Sequence, residues 1–410
     1  MMSLFSKIPA FGIDLSDLSI KIAQIRKKKN DFNLITIGEK FFSQGLIVNG
    51  VIQEEKKIVE IIKKALSEVR GEKIKTNQVV CSLPEEESFI KIIQLPPLKK
   101  EEIKEVIKWQ IEANFPVRLE DVYFDWQLIE SQKVEGKETE EQPVNVCITV
   151  TSKKIVDSYL SVFKKARLEP VAFEIESIGV VKSLILNSFS PRPVIILDIG
   201  KCGTGLTIFS GETILFTAHI EISSLDFDKA IVKELKIDLK EAEIFKKKFG
   251  LLSIRKYQLK KQQLKYQLKE NFDSKWKIHH LPIVNNISEK KGIDLSEPIL
   301  MDKVFNALIP ILTALAEQVQ HYLDYYKEFG KGIKYIPDGT IIKIILCGGG
   351  AKLIGLSDFI SFSTGIPAEL GNPLINISES SFLKKDRLFS PKEFLPYSTV
   401  IGLALRGATL

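Results

Sequence analysis

Two stretches of the chain share one hydrophobic and polar pattern. FGIDLSDLSIKIAQI from Phe11 and VIILDIGKCGTGLTIF from Val194 each run as an apolar strand, an Asp, a tight turn of small residues and a second apolar strand. The repeat predicts two related α/β halves, each giving one hairpin turn, around Asp14 and Asp198, to a shared cleft. Between them, Ile58, Ile61, Ile62, Ala65, Leu66 and Val69 recur at i, i+3, i+4 spacing, which predicts an amphipathic helix over Glu54 to Val69. QVVCSLP then reads as a buried strand ending at Pro84, and ESFIKIIQLPPL opens a new unit, so a boundary is expected near Cys81. In that unit Ile103, Val106, Ile107, Gln110 and Ile111 make one stripe of a helix over Lys100 to Phe115, stopped by Pro116.

VEGKETEEQP from Val134 predicts a solvated loop, VNVCITV a strand, and Lys153 to Lys165 a further helix. These elements divide the chain into a first half at 1–80 and 168–190, an inserted unit at 81–167, and a second half at 191–410. The second half continues with helices over Leu225 to Leu235, Leu239 to Phe249 and Asp302 to Phe329, the last kinked at Pro310. IIKIILCGGGAKLIGLSDFI follows as a buried strand that meets three glycines and then a helix.

Composition narrows the class. With 44% hydrophobic and 27% charged residues over 410 positions, the chain can build two proper cores. Cys81, Cys147, Cys202 and Cys347 lie far apart without C-x-x-C spacing, which excludes a zinc ribbon or a disulfide framework and fits a reducing cytoplasm. The N-terminal MMSLFSKIPAFGID has no apolar run long enough for a signal peptide. The apolar stretch Val304 to Val319 is broken by Asn306, Pro310, Thr313, Glu317 and Gln318 and falls short of a bilayer crossing, so no transmembrane span is expected. The net charge of +6 is concentrated: Lys246 to Lys291 holds 13 Lys or Arg against 3 Asp or Glu, which leaves the remainder mildly acidic and argues against nucleic-acid binding. Tyr257, Leu264, Leu268 and Phe272 give this basic stretch one apolar helical face, compatible with a solvated insertion or with a patch for anionic lipid.

The candidate chemistry is that of anion binding. A turn of small residues after an Asp exposes backbone N–H groups to a phosphate, while the carboxylate can orient Mg²⁺ through water. Gly348, Gly349 and Gly350 at a strand end let a flat base approach the backbone. Glu243 and Lys246, one helical turn apart, can bracket a ribose. Each motif alone also serves as an ordinary turn or surface ion pair.

Their order along the chain resembles the type IV pilus assembly PilM family of the actin-like superfamily, which also holds the cell-division protein FtsA and the sugar kinases. The family's G-I-D-I-G-S-S-S-V-K is matched by Gly12 to Lys21, its D-I-G by Asp198, Ile199 and Gly200, and its closing G-L-A-L-R by Gly402 to Arg406. LPPLKKEEIKEVIKWQIEANFPVRLEDVYFDWQLI is similar to the family's inserted subdomain, with Trp109, Pro116, Asp125 and Trp126 in register. The basic insertion, about 253–300, is longer than the family's.

The resemblance implies an actin-like, ribonuclease H-like duplicated fold with an FtsA-type inserted subdomain. It also implies ATP held by Asp14, Ser16, Lys21, Asp198, Gly200, Gly203, Thr204, Glu243, Lys246, Gly348, Gly349 and Gly350, with Mg²⁺ held through water by Asp14 and Asp198. The implied partners are the cytoplasmic tail of a PilN-type inner-membrane protein, in a groove between the first half and the inserted unit, and other inner-membrane pilus assembly proteins. The place is cytoplasmic and peripheral to the inner membrane. The helix bearing Trp109 and the strand around Cys147 are candidates for the groove, although a buried Trp109 is the ordinary reading.

Departures lie in the turns, where Ser16 replaces glycine, Asp17 a small hydroxyl residue, and Ser223 and Ser224 a glycine pair, and in the long helix, where Gln320 replaces an arginine after Glu317. An Asp17 facing the terminal phosphate would repel it, so hydrolysis is expected to be weak or absent. An FtsA-like division protein and a small-molecule kinase of the same fold are the competing readings.

Overall fold

The computed structural model describes residues 9–29, 31–98, 100–129, 144–252, 297–330, 340–378 and 390–410. The acidic stretch from Val134 and nearly all of the basic insertion lie outside the described residues.

The first apolar repeat forms an antiparallel hairpin, β1 (Phe11–Leu15) and β2 (Ser19–Lys28), continued by β3 (Asp31–Phe41). A small hairpin, β4 (Ile47–Val48) and β5 (Val51–Ile52), leads into α1 (Glu55–Ser67), which buries Ile58, Val59, Ile62 and Ala65. Then come β6 (Arg70–Gly71) and β7 (Gln78–Leu83), which pairs with β1 in parallel. A 3₁₀ turn at Glu85–Glu87 connects β7 to β8 (Ser88–Leu95).

In the inserted unit, α2 (Lys100–Asn114) lays Ile103, Ile107 and Ile111 on the sheet of β8, β9 (Val122–Ile129) and β10 (Val144–Ser152). The helix ends one residue before Phe115 and Pro116, as proline geometry demands. Next are α3 (Lys153–Lys165), β11 (Glu169–Ile175) and α4 (Glu176–Leu184).

The second repeat builds β12 (Ser190–Ile199), β13 (Thr204–Gly211) and β14 (Thr213–Ile220), then α5 (Ser224–Leu235) and α6 (Leu239–Phe249). A long helix, Glu297–Gly330, precedes β15 (Lys343–Cys347); a helix Leu356–Thr364, β16 (Ala368–Leu370) and a C-terminal helix Ser398–Gly407 complete the chain. One sheet has the order β11-β7-β1-β2-β3-β6; the other runs β16-β15-β12-β13-β14-β8-β10-β9, so the inserted unit extends the second sheet through the pairing of Phe216 with Lys91.

The tertiary structure distributes several segments differently from the pattern reading. The expected boundary near Cys81 falls inside β7, whose Cys81 pairs with Ile13 and Phe173, so the chain leaves the first sheet only after Leu83. α3, expected in the inserted unit, packs Ile155, Tyr159, Val162 and Phe163 into the first core with α1. α4 buries Val180, Val181 and Leu184 in the second core, while the C-terminal helix covers the first sheet with Val400, Ile401, Ala404 and Leu405. The two helices touch at Gly179 and Gly402, where any side chain on Gly402 would collide with the Gly179 carbonyl. Each half therefore lends one helix to the other.

The long helix also differs from expectation. It begins at Glu297, inside the range assigned to the basic insertion, and is long and apolar enough to cross a membrane. It nevertheless buries Val304, Leu308, Leu312, Leu315, Val319 and Leu323 in the second core, a stripe of i, i+4 and i+3 steps that marks a core helix.

Candidate functional site

The two Asp turns face each other across a cleft of about 720 Å³. On the first, the β1–β2 register sets Asp14 opposite Lys21, and the ammonium lies 3.4 Å from Oδ2. The Ser82 hydroxyl donates to Asp14 Oδ1 at 2.9 Å. Burial works against the charge on Lys21, but Asp14, Glu39 and Asp198 outweigh it and hold the ammonium above its ordinary range. Ser16 closes the turn through its N–H to the Ser19 carbonyl at 3.0 Å. Asp17 accepts the N–H groups of Asn49 at 2.8 Å and Gly50 at 2.9 Å, so this carboxylate is committed to the β4–β5 turn.

On the second turn, the Gly200 N–H donates to the Gly203 carbonyl at 2.8 Å, and the Ser224 N–H donates back to the Gly200 carbonyl at 2.9 Å. Ser223 caps α5 in a reciprocal capping box with Asp226, which gives the serine a structural role where the family has glycine. Asp198 accepts from the Thr399 hydroxyl at 3.4 Å. Burial pushes its carboxyl up to about 6, against the pull of Lys21 and with the help of Asp14. Gly203 abuts the imidazole of His219 so closely that a side chain there would overlap the ring.

Three of the sequence-assigned contacts are placed differently. Thr204 is fully buried, gives its hydroxyl to the Ile222 carbonyl at 2.6 Å and does not line the cleft. Lys246 lines the cleft but spends its ammonium on Asp228 at 2.7 Å and on the Ser224 carbonyl and hydroxyl at 3.1 and 2.9 Å. Glu243 pairs with Lys247 at 2.7 Å, and Lys201 lies 3.7 Å from both Glu243 and Asp228. The other assigned residues, Asp14, Ser16, Lys21, Asp198, Gly200, Gly203 and the three glycines, line the cleft as well.

The glycines divide by role. Gly348 has φ +79° and a side chain on it would run into the Asp198 carboxylate and the Ile199 carbonyl; one on Gly350 would strike Ile199. Gly349 has nothing within 4 Å of the position a Cβ would take, so its backbone offers an open floor. A short 3₁₀ turn, Gly350–Lys352, follows in place of an immediate α-helix.

The pattern reading missed an acidic wall. Glu176, the first residue of α4, lines the cleft; burial, and then Asp14, Glu86, Asp198 and Glu85, push its carboxyl well above the carboxylate range. Glu85 is buried, accepts the Ser177 N–H at 3.2 Å and has its other oxygen without a hydrogen bond. Burial raises its carboxyl to about 7. The run P-E-E-E after a buried strand was the available signal; the packing of α4 against it was not encoded locally. No group of three or more His, Cys, Asp or Glu among the described residues is disposed to hold a metal directly.

Trp109 and Cys147 lie away from a second hollow. Trp109 is 74% exposed on α2, which overturns the core reading, and Cys147 packs toward the second core. The hollow, of about 480 Å³, sits between the start of β8, the segment after α2 and the end of β10, with Phe89, Pro116, Val117, Val122 and Val150 as its apolar wall. Glu87, Arg118 and Asp121 form its polar rim.

The profile of the type IV pilus assembly protein PilM matches residues 12–259, more than half of the chain and both the first Asp turn and the inserted unit. The chain belongs to the PilM family. That of the cell division protein FtsA matches residues 195–402, the half that carries the second Asp turn and the glycines. Curated protein sequences return no match. Among solved structures, the PilM-PilN type IV pilus biogenesis complex superposes with a TM-score of 0.72 at 21% identity over 98% of this chain and 99% of the other. The ethanolamine utilization protein EutJ from Carboxydothermus hydrogenoformans does so with a TM-score of 0.51 at 14% identity, over 98% and 90%. The fold is thus actin-like, and PilM membership makes the protein a component of type IV pilus assembly.

Proposed function

We infer that this PilM-family protein is a cytoplasmic scaffold, peripheral to the inner membrane, that binds ATP with Mg²⁺ in the cleft and the cytoplasmic tail of a PilN-type inner-membrane protein on its inserted unit. The facing Asp turns with the open floor at Gly349 carry the nucleotide part of this reading. The turn N–H groups suit a polyphosphate, and the backbone at Gly349 suits a flat base. Asp14 and Asp198 would hold Mg²⁺ through water, which needs no cluster of three direct ligands. The cation would offset the charge of phosphates entering between carboxylates.

Turnover is a weaker part of the function. A general base acts in its deprotonated form, and burial, then Asp14, Glu86, Asp198 and Glu85, raise the carboxyl of Glu176 at the start of α4 and so disfavour that form. This supports a reading of binding with slow hydrolysis.

The hollow lined by Phe89, Val117, Val122 and Val150 is the proposed seat of the tail, since an apolar floor with a charged rim recognises an extended peptide by alternate side chains. The match to a PilM-PilN complex supports this partner. Calorimetric titration with Mg·ATP, and fluorescence titration with a labelled peptide of the tail, test the two parts separately. No binding of Mg·ATP at millimolar concentration would refute the first, and peptide affinity unchanged by Val117→Asp would refute the second.

A further inference from the structure

The turn Glu85–Glu87 stands between the two cavities. Glu85 and Glu86 line the interdomain cleft, whereas Glu87, the next residue, lines the hollow on the inserted unit. The connection has no slack: β7 ends at Leu83, Pro84 fixes the backbone, and β8 starts at Ser88.

The turn is held on both sides by specific bonds. Toward the cleft, Glu86 Oε1 lies 3.4 Å from His219 Nδ1, and the same imidazole is pressed against Gly203 of the second Asp turn. Glu85 accepts the Ser177 N–H, next to Glu176 at the start of α4. Toward the hollow, the Thr151 hydroxyl donates to the Glu87 carbonyl at 3.3 Å and shares a 2.9 Å hydrogen bond with the Ser88 hydroxyl. Thr151 is itself part of the wall of the hollow.

A polyphosphate on the second Asp turn would bring negative charge to Gly203, which abuts Cε1 and Nε2 of the same imidazole whose Nδ1 faces Glu86. It would compete with Glu86 for His219 and draw the ring toward the turn. Because packed interiors pass displacements on rather than absorb them, the strain goes to the three-residue turn and to the strand that starts behind it. We propose that Glu85–Glu87 couples occupancy of the cleft by a nucleoside polyphosphate to the shape of the hollow, and through it to affinity for an extended peptide. The proposal rests on the nucleotide reading above. Coupling of this kind is reciprocal, so the peptide changes nucleotide affinity by the same factor.

Hydrogen–deuterium exchange on the full chain, with and without saturating Mg·ATP, tests it, with calorimetry confirming occupancy. In the wild type, amides of Ser88–Ile90 and Val150–Ser152 change protection by about threefold or more. Ser88→Ala keeps Mg·ATP affinity within about twofold and loses most of the change at Val150–Ser152. Glu86→Gln, examined at a Mg·ATP concentration that calorimetry shows to saturate it, loses the change at both segments. Binding of Mg·ATP with no change at either segment in the wild type overturns the coupling and leaves the nucleotide reading intact. A full response in Glu86→Gln overturns it too, and failure of the wild type to bind Mg·ATP overturns coupling and nucleotide reading together.

Discussion

Lys246 on α6 holds its ammonium 2.7 Å from the carboxylate of Asp228 on α5, and both side chains are buried. Burial lowers the lysine's affinity for its proton and Asp228 restores part of it, so the charge persists because its partner is there. A residue whose spacing suggested a ribose contact thus joins two helices beside the cleft.

Removal of one partner is therefore costly. Lys246→Ala leaves Asp228 buried beside only the more distant Lys201, and destabilises the protein by about 3–5 kcal/mol. Asp228→Asn in the same protein returns part of the loss, because the uncompensated charge is gone. Urea denaturation measures both; a Lys246→Ala protein as stable as wild type would show that the pair is not structural.

The three glycines separate fold from ligand. Gly348→Ala places a methyl at φ +79° against Asp198 and costs about 1–3 kcal/mol or more. Gly349→Ala meets open space, so stability stays within about 0.5 kcal/mol, whereas Mg·ATP affinity falls by about tenfold as the methyl occupies the floor. Thermal denaturation and calorimetry on the two variants check this, and a Gly349→Ala protein with wild-type affinity places the base elsewhere.

Glu85 gives stability a pH dependence of known sign. Its buried carboxyl titrates near 7 in the folded chain, above its ordinary value of 4.5. The fold then favours the protonated form, so the associated stability is present below about 4.5 and is lost as pH rises through about 7, up to about 3 kcal/mol. Glu85→Gln, which stays neutral, gains stability over wild type at pH 8 and little at pH 4. Equal differences at both pH values would exclude this titration.

Asp17 is expected to matter for the fold and not for repulsion. Asp17→Ser loses the bonds from Asn49 and Gly50 and destabilises by about 1–2 kcal/mol. Affinity for Mg·ATP does not rise, since the native carboxylate is turned to the β4–β5 hairpin. A clear gain in affinity by calorimetry would restore the repulsive role.

The residues themselves determined the local structure. Two Asp turns between apolar strands, the stripe of Ile103, Ile107 and Ile111, and Pro116 after a helix are all carried by neighbours in the chain, which is why periodicity and turn chemistry reach them. Register was not read from the pattern: the turn between Leu15 and Ser19 sets it, and with it the pairing of Asp14 with Lys21. What the tertiary structure alone decided is partnership. An apolar stripe states that a helix is buried, not on which sheet, so α4 and the C-terminal helix could exchange halves and α3 could join the first core without any mark in the pattern. The same holds at the cleft, where Thr204 turned inward to Ile222 and Glu85, Glu176 and His219 met only because segments distant in sequence were packed together, and on α2, where Trp109 stayed in solvent. Burial and charge at those positions are set by atoms from other parts of the chain, and no local spacing records them.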